Sequence, residues 1–169
     1  MIFLTVGTLF PFDRLIKAVD QAYEKGLFEE EIFAQTGNNS YKPRNFECVY
    51  SLDKHLFDEK VQKASGIISH GGIGIISTAL QYNKPLLVMP RMTQFKEHVN
   101  NHQVSTVRRF EQDGYVLAAY DAAELAAKIK KLKSFVPAKR QPQTESVAKR
   151  IATFLNEMCE SKNISLKKE

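Results

Sequence analysis

The sequence predicts an α/β fold: a single Rossmann-like domain with a parallel sheet, helices on both faces, and further helices at the carboxyl end. Three observations predict it. Short apolar β-type runs alternate with helical stretches from residue 1 to residue 133. The stretches between the runs are long enough to carry crossover helices, so the strands are expected to run parallel. The breaks between elements hold the Gly, Asn and Pro of turn chemistry.

Each element is justified in order. Ile2–Val6 reads as a strand, and Pro11 to Lys25 as a helix with Phe12, Leu15, Ile16 and Val19 on one face and Gly26 marking its end. Glu31–Thr36 is the second strand, followed by the turn-rich GNNSYKPRN. Cys48–Tyr50 is a short third strand, Asp53–Ala64 a helix and Gly66–Ser69 an apolar strand. Ile73–Gln81 is a helix, Pro85–Met89 a buried strand, Glu97–Glu111 a helix, Tyr115–Ala119 a strand and Ala122–Lys133 a helix. After a break over Val136–Pro142, Thr144–Cys159 is the last helix, and the final ten polar residues are expected to fray. At 169 residues the chain has room for one domain with a sizeable core. Residues 1–135 are assigned to it and 136–169 to a helical extension of the same domain.

Composition narrows the function classes. A hydrophobic share of 43% with 25% charged residues is that of a globular protein, and no run reaches the roughly 18 to 20 apolar residues of a membrane span. The opening MIFLTVGTLF lacks a basic leader and a cleavage site, so it reads as a strand rather than a signal peptide. Two distant cysteines, Cys48 and Cys159, with no CxxC spacing point to a reduced, cytoplasmic protein without a zinc site. The net charge of +5 is uneven: residues 1–121 carry 13 basic and 14 acidic side chains, residues 122–169 carry 11 and 5. That basic end suits an anionic membrane surface, an acidic partner or a plain solvated face. Nucleic acid fits poorly, because Lys128, Lys130, Lys131 and Lys133 lie on an amphipathic helix without interleaved aromatics.

The strongest local signal is Gly66 to Leu80, where an apolar strand runs into His70-Gly71-Gly72-Ile73-Gly74 and a helix begins at once. Glycines there let a phosphate approach the backbone, and the N–H groups and dipole of the helix start would hold it. A plain tight turn accounts for the glycines equally well. The first βα turn, Val6 to Pro11, lacks GxGxxG, the second strand ends in Gln35-Thr36-Gly37 without an acidic residue, and no GK[ST] follows the glycines. NAD binding and ATP hydrolysis are therefore poor fits. A second cluster, Glu97-His98-Val99-Asn100-Asn101-His102-Gln103, follows Pro85–Pro90. On a helix, Glu97 and Asn101 would share one face and His98 and His102 another. The histidine spacing lacks the further ligand a zinc site needs. A third, Gln35-Thr36-Gly37, offers an amide and a hydroxyl, or simply a β-turn.

Four βα junctions thus meet at one sheet edge: Gly7-Thr8, Gln35–Gly37, His70–Gly74 and Glu97–Gln103. Together with residues 68–103, ISHGGIGIISTALQYNKPLLVMPRMTQFKEHVNNHQ, they resemble the C-terminal, donor-binding domain of glycosyltransferase family 28, half of the GT-B architecture. The likeness covers roughly residues 1–133 and is nearest to small separate subunits of the PssE-like and dolichol-linked UDP-GlcNAc transferase types.

The resemblance implies a donor-binding, catalytic subunit of a two-component glycosyltransferase that transfers a hexosyl or N-acetylhexosaminyl group from a UDP-sugar, with inversion, to a lipid-linked acceptor in polysaccharide or glycolipid synthesis. A non-catalytic nucleotide-sugar-binding module is the alternative. His70, Gly71, Gly72, Ile73 and Gly74 would receive the diphosphate, with His70 a donor and Gly7 and Thr8 beside it. Gln35, Thr36 and Gly37 would line the same cleft, Tyr50 and Ser51 would border the uracil, and Glu97, Asn101, His102 and Gln103 would face the sugar. Thr78 stands where many relatives carry a ribose-holding Glu, and Asn100 and Asn101 stand where some are acidic. No Asp-x-Asp is present, so a divalent metal chelating the diphosphate is not indicated, and no cofactor is expected beside the UDP-sugar substrate. The catalytic base is expected from a membrane-anchored acceptor-binding partner, with Glu97 and His98 as fallback candidates. The chain itself would be cytoplasmic, recruited to the cytoplasmic face of the membrane.

Overall fold

Ile2–Thr5 (β1), Ile32–Gln35 (β2), Glu47–Val49 (β3), Gly66–His70 (β4), Leu86–Met89 (β5) and Leu117–Ala118 (β6) form one sheet in the order β3-β2-β1-β4-β5-β6. All five pairings are parallel. The computed structural model describes residues 1–139 and 144–166, excepting the side chains of Thr144 and residues 160–166. The helices are Asp13–Glu24 (α1), Lys54–Lys63 (α2), Ile73–Gln81 (α3), His102–Gln112 (α4), Ala122–Leu132 (α5) and Thr144–Leu166 (α6).

The central strands are apolar on both faces because both faces are covered. Ile2, Leu4, Ile68, Leu87 and Met89 pack with Leu15, Ile16 and Val19 of α1 and Leu125 and Ile129 of α5. Phe3, Ile67, Leu86 and Val88, one position out of phase, pack with Val61, Ile75, Ile76, Ala79 and Val107 of α2, α3 and α4. The strand order reverses between β1 and β4, so the loops leaving these two strands diverge and open a crevice outside their carboxyl ends.

The expected elements are present, most within two residues of their expected bounds. The expected helix from Glu97 is shorter. A 3-10 turn at Thr93–Phe95 is followed by non-helical backbone through Asn101, with Lys96 at φ +57°, before α4 starts. Asn101 Oδ1 accepts from both Thr93 N (2.9 Å) and Thr93 Oγ1 (3.2 Å), which folds this segment back instead of letting it coil. At the other end α6 runs to Leu166, beyond the point where fraying was expected, while residues 167–169 and residues 140–142 of the expected break lie outside the described residues.

Met1–Ala138 and Lys139–Glu169 form two compact units. In the second, Val147, Ile151, Phe154, Leu155 and Met158 of α6 are spaced along one helical stripe and are exposed. No helix among the described residues is long and apolar enough to cross a membrane.

Candidate functional site

The β4 strand delivers His70 to the switch point, and Gly72, in extended backbone, caps α3 without a side chain. The first N–H groups of α3 therefore have no side-chain acceptor at the cap, and they point with the positive dipole end out of the sheet edge. Nothing lies within 4 Å of the space a methyl on Gly74 would fill, and Ile73 is 58% exposed. The start of α3 is open, as an anion site requires.

Gly71 and Gly72 are glycines for a different reason. A methyl on Gly71 would lie 2.6 Å from Val107 Cγ2, so the close seat of α4 over this turn excludes any side chain. A methyl on Gly72 would lie 2.5 Å from His70 Nε2. Both glycines make room for neighbouring protein groups, and only Gly74 faces empty space.

His70 is turned inward. The Ser69 hydroxyl gives its single proton to the Thr5 carbonyl, so toward His70 Nδ1, at 3.2 Å, it accepts. The ring proton then sits on Nδ1, and Nε2 is a bare lone pair against Gly7 and Gly72. Burial first, and the Arg91 charge second, push the His70 pKa down to about 4. The expectation of His70 as a donor to the diphosphate is corrected accordingly: at neutral pH its Nε2 has no proton to give.

The loop after β1 approaches from the opposite side. Gly7 takes φ +73° and Gly37 φ +59°, and a methyl on Gly37 would sit 2.2 Å from Gly7 O. The two turns touch backbone to backbone. Thr36 Oγ1 donates to Val49 O (3.4 Å) rather than into the cleft, whereas Gln35 accepts from Leu52 N through Oε1 (3.2 Å), which leaves its Nε2 donors uncommitted among the described residues. Both side chains are buried because the ladder ends here and leaves backbone groups of the β3 end to be satisfied. Tyr50 is 61% exposed beside them, its carbonyl accepting from Gly37 N, and Ser51 is exposed too.

The segment after β5 divides into buried and exposed members. Glu97 is 7% exposed and forms a bidentate pair with Arg14, Nε to Oε1 and Nη2 to Oε2 both 2.8 Å, while Oε2 also accepts from Met92 N. Both of its oxygens are committed, so Glu97 neither faces the sugar nor serves as a base. Gln103, 4% exposed, accepts from Arg91 N through Oε1, which anchors the side chain and leaves its Nε2 donors uncommitted among the described residues. Asn101 and His102 remain exposed. Asn100 Oδ1 accepts from the His102 ring Nδ1 and backbone N. His98 lies against Phe10 (ring centroids 5.3 Å) and His102 (4.7 Å). Its pKa is lowered by burial, then by His102 and Arg91. Its Nδ1 accepts from Asn100 N (3.4 Å), so the neutral ring carries its proton on Nε2 and acts as a donor, not a base.

Two residues here escaped the sequence reading. Arg14 also reaches Pro90 O (2.9 Å) and Tyr120 O (3.2 Å), tying three βα junctions together from inside α1. Arg91 is 3% exposed and donates to the Val6 and Phe10 carbonyls. A charged residue placed directly after an apolar strand and a proline was the available signal for Arg91; nothing in α1 marks Arg14.

The site is an open face rather than an enclosed pocket. A recess of about 210 Å³ lies between Pro11, Asp13, Arg14, Phe95, Lys96 and Glu97. Recesses of about 320 and 400 Å³ lie at the opposite sheet edge, beside Leu27 and Phe28 and beside Phe33 and Phe46. They are remote from the glycine turns and carry no convergent polar groups toward them.

Comparison with known proteins adds to this geometry. The family model for the glycosyltransferase family 28 C-terminal domain matches residues 1–158. The UDP-N-acetylglucosamine transferase subunit ALG13 of Homo sapiens is 31% identical over 124 residues, and that of Mus musculus 30% over 124. Each match covers 68% of this chain and 10% of the relative, so the chain spans about a tenth of their length. The NMR solution structure of ALG13 has a TM-score of 0.58 at 19% identity, covering 86% of this chain and 93% of that one. Acinetobacter baumannii MurG gives 0.56 at 15% identity over 89% of this chain and 49% of that one. The glycosyltransferase of kitacinnamycin gives 0.58 at 18%, over 79% and 34%. These likenesses are of fold: the Rossmann-like C-terminal half of GT-B.

Proposed function

We propose that this chain, which belongs to the glycosyltransferase family 28 C-terminal domain family, is the donor-binding, catalytic subunit of a two-component glycosyltransferase acting on a UDP-sugar. The observation that carries the reading is the solvent-open, glycine-capped start of α3 at the switch point of the sheet. A diphosphate seated there would accept from the first α3 amides, with the Gly7 turn alongside. Tyr50 would border the base, and Asn101 and His102 the sugar. The human relative, a UDP-N-acetylglucosamine transferase subunit, supports both the donor class and the subunit character.

In the reaction an acceptor hydroxyl attacks the anomeric carbon as the bond to the diphosphate breaks, with inversion. The developing charge on the leaving diphosphate is what the amides of α3 stabilise, and they do so most in the transition state. The proton of the attacking hydroxyl needs a base. Glu97 is spent on Arg14, His70 is turned inward and His98 carries its proton outward. In this reading the base comes from an acceptor-binding partner that is membrane-anchored and presents a lipid-linked acceptor at the cytoplasmic face, where this chain is recruited.

Titration calorimetry with UDP, UDP-GlcNAc and ADP tests the donor site. UDP and UDP-GlcNAc are expected to give saturable heats of binding, and ADP to bind more weakly. Absence of any heat with the uridine ligands would refute the assignment. Sugar transfer that appears only on adding the acceptor-binding subunit separates an enzyme from a non-catalytic binding module.

A further inference from the structure

Arg91 is a buried cation without an anion. Its side chain donates to three carbonyls of one loop: Nη2 to Val6 O (2.6 Å) and Phe10 O (2.7 Å), Nε to Pro11 O (3.5 Å). Its guanidinium carbon lies 4.9 Å from the Phe12 ring. Among the described residues it forms no ion pair, and Glu97, the carboxylate whose field it feels, is already paired with Arg14. Burial accordingly lowers the Arg91 pKa to about 10. A cation held by carbonyl dipoles and one ring face, without an ion pair, at 3% exposure is costly unless the site gains from its charge.

The carbonyls that Arg91 collects set the direction of the loop amides. In a trans peptide the C=O and the following N–H point opposite ways. With the Val6 carbonyl drawn inward to Arg91, the Gly7 N–H points outward. Gly7 at φ +73° continues that turn, and among the described residues nothing accepts from the N–H groups of Gly7, Thr8 or Leu9. Successive outward amides form an anion-receiving concavity. On its other side Arg91 is tied by its own N–H to Gln103, at the root of α4. One residue thus fixes the β1–α1 loop relative to the segment carrying Asn101 and His102.

We propose that Arg91 is a positioning residue of the donor site, which turns the Gly7–Leu9 amides toward the diphosphate and holds an unmatched positive charge behind them. The inference rests on the donor-site reading above and adds a role that the glycine turn at 72–74 does not need.

Amide spectra of the 15N-labelled protein, with and without UDP, give the first test on the unaltered chain. UDP at saturation is expected to move the Gly7, Thr8 and Leu9 amides and the Arg91 Nε–H resonance. Saturation that leaves all of them in place overturns the proposal while the donor reading stands. No UDP binding at millimolar concentration overturns both. Arg91→Lys and Arg91→Gln supply the second test. Arg91→Lys, which keeps the charge but loses the fork, is expected to weaken UDP at least tenfold, with ligand-free shift changes concentrated in residues 6–12. Arg91→Gln should weaken it further and lower the salt dependence of binding by about one charge. Either folded variant binding UDP as the wild type does, at reduced melting temperature, would leave Arg91 a mere staple and overturn the proposal.

Discussion

Single residues at the sheet edge show which glycines and charges serve the fold and which serve a ligand. Gly74 is the one glycine of the 71–74 turn with open space beside it. Gly74→Ala should therefore stabilise α3 by roughly 0.5–1 kcal/mol, while Gly72→Ala must displace the His70 ring and lower the melting temperature. Thermal unfolding of the two variants reads this directly, and a stabilised Gly72→Ala protein would contradict the packing described. Glu97→Gln distinguishes structure from catalysis. Removing the carboxylate of a buried pair leaves the Arg14 charge uncompensated and costs about 3 kcal/mol, so urea midpoints should drop before any transfer assay is run. His70 gives a pH signature. Its folded pKa of about 4 lies below the 6.5 of the unfolded imidazole. Between these values the unfolded chain holds more protons, so stability present in full above pH 6.5 is lost as the pH falls toward 4. The loss is at most about 3 kcal/mol, and His98, also lowered, adds in the same direction. Urea midpoints at pH 7, 6 and 5 should fall less steeply for His70→Asn than for wild type. The glycines of this turn were legible in the sequence as a Gly-rich strand-to-helix junction. Their division of labour was not, because it depends on Val107, brought in from α4, and on the rotamer that turns the His70 ring back over Gly72.

Among the elements, β1, β4, β5 and α3 were readable because each is a contiguous apolar run or a helix bounded by glycine, as burial on both sheet faces requires. The segment from Thr93 to Asn101 was not readable. Its residues have adequate helix propensity, and the spacing of Glu97, Asn101, His98 and His102 imitates a helix face. What prevents the helix is long-range: Arg14, 83 residues upstream, captures Glu97, and Asn101 turns back on Thr93. The chain accommodates this by placing Lys96 in the left-handed region. A non-glycine residue there carries strain of about 1–2 kcal/mol, which glycine removes at the cost of some chain entropy. Lys96→Gly should accordingly raise the melting temperature by a degree or more, whereas Asn101→Ala, which frees the Thr93 donors, should lower it. A loss of stability in Lys96→Gly would mean that the lysine side chain, rather than the backbone turn, is what matters at this corner.

For the molecule as a whole, the distribution of core and charge separates what folds from what waits for a partner. Among the described residues every buried apolar side chain lies between Ile2 and Leu132, and none of the described side chains of α6 is buried. The basic excess of the carboxyl end does not reside on the described part of α6 either, where Lys149 and Arg150 are balanced by Glu145 and Glu157; it comes from α5, the segment that follows it and the last residues. Membrane attraction through α6 charge is therefore weak, while its stripe of Val147, Ile151, Phe154, Leu155 and Met158 is apolar surface of the kind that marks a contact. Three results should follow for a chain ended at Ala138. It should fold cooperatively with a melting temperature within a few degrees of the full chain, because the first unit holds the sheet and the buried core described above. Its UDP affinity should stay within about threefold, since all of Gly7, Gly74, Arg91 and His102 remain in the first unit. Reconstituted transfer with an acceptor-binding subunit should nevertheless fall, because the exposed stripe is gone. Failure of the shortened chain to fold would refute the division into two units, and undiminished transfer would remove α6 from the working assembly.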